Sequence, residues 1–276
     1  MEIIRFENVV KRYGSVKAVD GVSFSLHAHT LTALAGPSGS GKTTLLNLAA
    51  GLDAPSEGNI WVAGICLSRL KASALACFRC ENIGFVFQSY NLIPVLTVLE
   101  NVEYPLALRG VRSSVRALEA KKALSEVGME GYLKRFPSEL SGGQQQRVAV
   151  ARALVGYPKI IFADEPTGSL DAKNAEMLLT LFQGLNQKLG TTFLFSSHDP
   201  RVLNKAGQVL TVQDGAIIES HSPLLSVGKK PLVYAKAHEG GALLGNGLEP
   251  VGREDEPTSH SERQCSGLGV GASSSP

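Results

Sequence analysis

Apolar and polar residues alternate over residues 3–10 and again over 18–26, where Val22, Phe24 and Leu26 share one face; a hairpin-rich lobe is predicted at the start of the chain. A short apolar run over 30–35 ends at Gly36-Pro37 and is followed by small residues, then by a helical pattern over 43–50. That order is strand, loop, helix. Between about 89 and 155 the period becomes helical, carried by Leu99, Val102 and Leu106 and then by Ala117, Leu118, Ala120, Ala123, Leu124 and Val127, with breaks at Gly110 and Gly128. An inserted helical subdomain is predicted there. Two strand-like runs, 160–163 and 191–196, flank a helix over 172–189, the alternation of a parallel sheet. A last hairpin over 209–218, turning at Asp214-Gly215, closes the fold. After residue 222 the character changes, and beyond Lys236 the chain is rich in Gly, Ser and Glu. Such a segment buries too little apolar surface to offset chain entropy, so 222–276 is expected to be a disordered tail without a catalytic role, beyond a folded domain of residues 1–221.

Composition narrows the class. At 276 residues the chain can bury one substantial core, and 43% apolar residues suit a globular protein. A net charge of +2 with 19% charged residues is too balanced for a broad nucleic-acid surface. No apolar run reaches the roughly 18 residues that span a bilayer. The first residues, MEIIRFENVVKRYG, lack the pattern of a secretory signal, so residence in the cytoplasm is expected. Cys66, Cys77, Cys80 and Cys265 are too scattered for a disulfide framework. Cys77 and Cys80 form a CxxC pair, but no second pair or nearby His couple completes four zinc ligands, and free thiols are expected.

Three stretches carry chemistry. Residues 36–44 read GPSGSGKTT and fit G-x-x-x-x-G-K-[ST] in the strand-to-helix context its mechanism needs. Gly36, Gly39 and Gly41 let the backbone amides curl inward as an anion nest around Pro37, Ser38 and Ser40, and the following helix offers its positive end to phosphate. Lys42 supplies a point charge for the β and γ phosphates, Thr43 a hydroxyl for magnesium, and Thr44 completes the run. A Gly/Ser turn capping a helix is the plainer reading, and the flanks favour the phosphate loop. Next, the strand at 160–163 runs into Asp164-Glu165-Pro166. Asp164 is placed to hold magnesium and Glu165 to polarise an attacking water; a solvated turn ended by Pro166 is the alternative. The third stretch, LSGGQQQR, contains Ser141, Gly142, Gly143 and Gln144 shortly before the acidic pair.

The order GPSGSGKTT, then Gln88 in FVFQ, LSGGQQQR, IIFADEP, SLDAK and His198 resembles the ATP-binding-cassette ATPases over nearly all of residues 1–220. The resemblance implies an α/β P-loop (RecA-like) core with an N-terminal antiparallel β subdomain and an inserted helical subdomain. It implies ATP and Mg2+ as ligands, and two copies paired head to tail, each nucleotide lying between the phosphate loop of one and Ser141–Gln144 of the other. By the same resemblance Tyr13 stacks on adenine, Gln88 contacts magnesium or the lytic water, and His198 bonds the γ phosphate. Asp171 either signals across the dimer or simply caps a helix. The wording FVFQSYNLIPVLTVLENVEYPL and ADEPTGSLDAK is similar to the lipoprotein-releasing, macrolide-exporting and cell-division branch, which implies an integral membrane permease as partner, engaged by the region around Gln88–Leu96, and a place at the inner face of the membrane. Regulation of a membrane-associated assembly without solute transport fits the same residues. CFRC stands where that branch has a basic, polar helix.

Overall fold

The computed structural model describes residues 1–222 and a two-residue strand, Leu232–Val233. Two sheets share one apolar layer. The first is antiparallel and ordered β2 (Val16–His27), β1 (Glu2–Tyr13), β4 (Glu57–Val62), β5 (Ile65–Cys66). Alternation in β1 and β2 sends Ile4, Phe6, Phe24 and Leu26 inward, and the rings of Phe6 and Phe24 stack 4.7 Å apart.

The second sheet has seven strands in the order β11 (Leu232–Val233), β10 (Ala216–His221), β9 (Gln208–Gln213), β3 (Leu31–Ala35), β8 (Thr192–Ser197), β7 (Ile160–Asp164), β6 (Ile83–Val86). The five strands from β9 to β6 are parallel, and β10 and β11 add antiparallel at one edge. Its central strands are apolar on both faces, as a parallel sheet covered on both sides requires. On one face Leu34, Ile160, Phe162, Leu194 and Leu210 pack with Leu45, Leu46 and Leu48 of α1 (Lys42–Ala49) and with the first sheet. On the other, Ala33, Ile161, Phe193 and Phe195 meet Leu178, Leu179, Phe182 and Leu185 of α6 (Ala172–Leu189) and the helical region.

That region comprises α3 (Val98–Leu108), α4 (Ser113–Glu126) and α5 (Gly142–Leu154). Thr97 starts α3 and Ser141 starts α5, each in a reciprocal cap with the residue three on, Glu100 and Gln144. Gly190, at φ 65°, ends α6. Among the described residues, no helix is long and apolar enough to cross a membrane.

The structure departs from the sequence reading in places. Residues 89–97 are not helical: Tyr90 and Asn91 have φ of 62° and 48°, Pro94 follows, and helix begins only after the Thr97 cap. The pattern also missed the β4–β5 hairpin, the short α7 (Pro200–Lys205) and the edge strand β6. The CFRC stretch lies within α2 (Ala72–Asn82), where Phe78 is buried and Arg79 donates to the Gly51 carbonyl at 2.8 Å. Leu232 and Val233, within the expected tail, pair with Ser220 and Glu219, so β10 is not the last strand; the rest of that tail beyond Ser222, Cys265 included, lies outside the described residues.

Candidate functional site

The phosphate-type loop is built by β3 and α1, and its curl is enforced by close packing. Gly36 has φ 151°, and a Cβ there would lie 2.2 Å from the Val212 carbonyl oxygen; at Gly41, φ 104°, it would lie 2.5 Å from that of Ala18. Only glycine meets both demands. Pro37, Ser38, Gly39 and Thr43 are exposed along the open side of the loop, whereas Ser40 is buried and its carbonyl accepts from Gly215 N at 2.9 Å. Lys42 is 5% exposed and runs beneath the loop, its Nζ donating to the carbonyls of Gly36 at 2.9 Å and Pro37 at 2.8 Å. An ammonium has three protons. Two hold the loop in its curl and one remains for an anion.

Beside the loop, β7 delivers the acidic pair. Asp164 Oδ1 accepts from Thr43 Oγ1 at 3.0 Å and from Ser196 Oγ at 2.6 Å. Glu165 has φ 42°, a strained value for a non-glycine residue, and its backbone N–H donates to Ser196 Oγ at 3.0 Å. Its carboxylate lies 3.2 Å from Nδ1 of the exposed His198. The amide of Gln88 reaches the same place: a Cβ on Gly168 would meet Gln88 Nε2 at 3.1 Å and Glu165 Oε2 at 3.6 Å. Residues 36–44, Gln88, Asp164, Glu165 and His198 therefore converge at the carboxyl ends of β3, β7 and β8, where open α/β sheets hold ligands.

Tyr13 stands at the rim, half exposed, with its phenol donating to Asp53 Oδ2 at 2.6 Å and adjoining Thr44. Lys11 bonds the other oxygen of Asp53 at 2.6 Å, and its Nζ lies 4.9 Å from the centre of the Tyr13 ring. The hydrogen bond to Asp53 raises the Tyr13 pKa above its ordinary value. Burial pushes the Asp53 carboxyl up, but bonds from Lys11, Tyr13 and the Ala54 amide prevail and hold it below the usual carboxylate range.

Ser141, Gly142, Gly143 and Gln144 occupy a separate place at the amino end of α5. No hydrogen bond joins them to 36–44 among the described residues; they pack instead against Tyr90, whose hydroxyl is 2.8 Å from where a Gly142 Cβ would sit, and against Asn174, whose Oδ1 is 2.7 Å from a Gly143 Cβ. Asp171 caps α6 through Asn174 N at 2.8 Å and also holds the Asn174 side chain at 2.7 Å. Those bonds from Asn174 lower the Asp171 pKa.

Sequence reasoning missed Ser196, whose signal is a polar residue closing an apolar strand, and Asp53 and Lys11, which lie 40 or so residues apart and carry no local signal. Gln146, within LSGGQQQR, has no role assigned by its motif, although its side chain is wholly buried. Cys66, Cys77 and Cys80 carry free thiols.

With this geometry in hand, comparison with known proteins defines the class. The sequence profile of the ABC transporter domain matches residues 19–168, more than half of the chain. The chain belongs to the ABC transporter family and is its ATP-binding, ATP-hydrolysing part. It is 41% identical over 215 residues to the lipoprotein-releasing system ATP-binding protein LolD of Bacteroides thetaiotaomicron, covering 78% of this chain and 99% of that one. The macrolide export ATP-binding/permease protein MacB of Pasteurella multocida is 40% identical over 220 residues, 78% of this chain and 34% of that longer protein. The dimeric ATP-binding cassette MJ0796, solved in a post-hydrolysis state with ADP and Pi, superposes with a TM-score of 0.74 at 37% identity, covering 80% of this chain and 99% of that one.

Proposed function

We propose that the chain is the energising subunit of a lipoprotein-release or macrolide-export type transporter, working as a homodimer on the cytoplasmic face of the membrane beneath a separate permease. The observation that carries this reading is the split of the site: the phosphate loop and the acidic pair lie together, while Ser141–Gln144, with Ser141 exposed, lies at the amino end of α5 with no hydrogen bond to the loop among the described residues and needs a second copy to reach nucleotide. The cassette is residues 1–221 with the edge strand Leu232–Val233 added to its sheet, and the rest of 222–276 takes no part in the chemistry.

In this reading the backbone N–H groups of Ser38–Thr44 and the third proton of Lys42 hold the β and γ phosphates, Tyr13 stacks on adenine, and Ser141 with the N–H groups of the Gly142–Gly143 helix start, capped by Gln144, closes over the γ phosphate from the partner. Glu165 takes the proton from the attacking water. His198, 3.2 Å from Glu165, orients that carboxylate and bonds the γ phosphate, and Gln88 places the water. The oxygens of Thr43 and Asp164 meet at 3.0 Å and form the hard donor set that Mg2+ prefers, with Gln88 beside them. When bound, that ion neutralises charge developing on the phosphate oxygens. Hydrolysis reopens the dimer because open and closed states bind nucleotide with different affinity.

A groove of about 330 Å³ beside β6, lined in part by Phe85, Phe87, Ile93, Tyr104 and Arg152, is the dock for the permease. It adjoins the 89–97 segment, so a shift at Gln88 reaches the membrane partner. The deciding experiment is Glu165→Gln. ATP should bind and drive stable dimers, seen by light scattering, while hydrolysis stops; turnover at the parental rate removes Glu165 from its role.

A further inference from the structure

Gln146 is 0% exposed, in the second turn of α5, and its side-chain Nε2 donates to the carbonyl of Pro166 at 2.9 Å. The carbonyl can only accept, so the amide's orientation is fixed by chemistry. Its Oε1 has no hydrogen-bond partner among the described residues. A buried amide with one end unpaired is disfavoured over an apolar side chain of the same size, so the single bond that it makes needs a reason.

The position supplies one. Gln146 lies two residues beyond Gln144 on the helix that begins with the Ser141–Gln144 tip, and Pro166 directly follows Glu165, whose φ is 42°. The helix is tied a second time: Arg152, pushed below its ordinary pKa by burial, donates to the carbonyls of Tyr90 and Asn91, two and three residues beyond Gln88. Through these bonds α5 holds both loops of its own subunit's active site, while Ser141 at its start is exposed.

Resting on the two-copy reading above, we propose that Gln146 is a positioning residue that couples the Ser141–Gln144 tip, lent to the partner's nucleotide, to the Glu165 loop of its own subunit. Capture of the partner's ATP then sets the local water-activating carboxylate, and the two sites of the dimer fire in concert. Gln146 itself touches no substrate.

Gln146→Met keeps length and apolar bulk but removes the donor; Gln146→Asn keeps the donor but falls one methylene short. Both should bind nucleotide as the parent does, lose roughly ten- to hundredfold in kcat with little change in KM, and lose ATP cooperativity. A parental kcat and Hill coefficient in either soluble variant overturns the proposal. Should both variants fail to fold, hydrogen exchange on the unaltered chain decides: on adding MgATP, residues 141–147 and 164–169 should gain protection in one kinetic phase, and separate phases overturn the coupling. If Glu165→Gln protein stays monomeric with MgATP, the two-copy reading fails by itself, while the exchange result still judges the Gln146 link, because both segments belong to one subunit.

Discussion

The hydroxyl of Ser196 donates to Asp164 Oδ1 at 2.6 Å while accepting the backbone N–H of Glu165 at 3.0 Å. One buried oxygen thus sets the orientation of one carboxylate and the strained backbone of the next. Ser196 is 0% exposed. Ser196→Ala leaves the Glu165 N–H unpaired and should destabilise the fold by about 1–3 kcal/mol, the desolvation cost of a lone buried donor. Urea unfolding measures this, and a steady-state assay should show a lower kcat. Parental stability with parental turnover would show that the two bonds do nothing.

The rim triad of Lys11, Asp53 and Tyr13 carries its own pH signature. A tyrosine with a raised pKa is stabilised in its neutral form, so its contribution is complete below the ordinary value of 10.0 and is lost as pH rises through the folded value. Asp53 has a lowered pKa, so its contribution is present above the ordinary value of 3.8 and is lost as pH falls through the folded value. The triad is therefore intact across the neutral range. Asp53→Asn should bring the Tyr13 midpoint back down, read as phenolate absorbance of each protein minus its Tyr13→Phe counterpart. An unmoved midpoint means that Asp53 does not hold the ring that is assigned to adenine.

Thiol reactivity separates the CxxC pair. Cys77 is exposed, whereas burial pushes the Cys80 thiol above its ordinary pKa, with Arg109 opposing and Glu81 and Cys77 adding to the rise. Thiolate is the reacting form, so limited alkylation near neutral pH should label Cys77 before Cys80, with peptide mass spectrometry assigning each. Equal rates contradict the burial argument. One zinc per chain in purified protein would replace the free-thiol reading altogether.

Much of this fold is legible in the sequence because its decisive elements are locally coded. The helix of α6 runs 172–189 as its pattern predicts, since Asp171 and Gly190 are a strong cap and stop, and the phosphate-type loop announces itself by glycines that no other residue can replace. Contacts that depend on distant strands stay hidden. Ser196 meets Asp164 only because β7 and β8 pair in register, Asp164 opposite Ser196, and Gln146 meets Pro166 only through the packing of α5 on the sheet. The edge strand β6, at four residues, is too short for its period to stand out, and the 89–97 loop reads as helix because Leu92, Val95 and Leu96 are spaced like the apolar residues of the helices that follow.

Lys42 gives the sharpest test of how the loop works without ligand. Its ammonium bonds two carbonyls of the loop that it serves, so it is part of the loop's scaffold as well as a phosphate contact. Lys42→Ala should therefore weaken nucleotide binding more than the loss of a surface charge does, by roughly ten- to hundredfold in Kd, the scale of one or two charge-assisted hydrogen bonds. Lys42→Arg should not rescue it: a planar guanidinium is larger and points its donors in a fixed fork, and at 5% exposure there is no room to turn it onto both carbonyls. Titration with a fluorescent nucleotide, with and without magnesium, reads both variants. If the arginine variant binds as the parent does, the two carbonyl bonds are incidental and any nearby cation suffices; if the alanine variant also hydrolyses ATP at the parental rate, residues 36–44 are not where the γ phosphate sits.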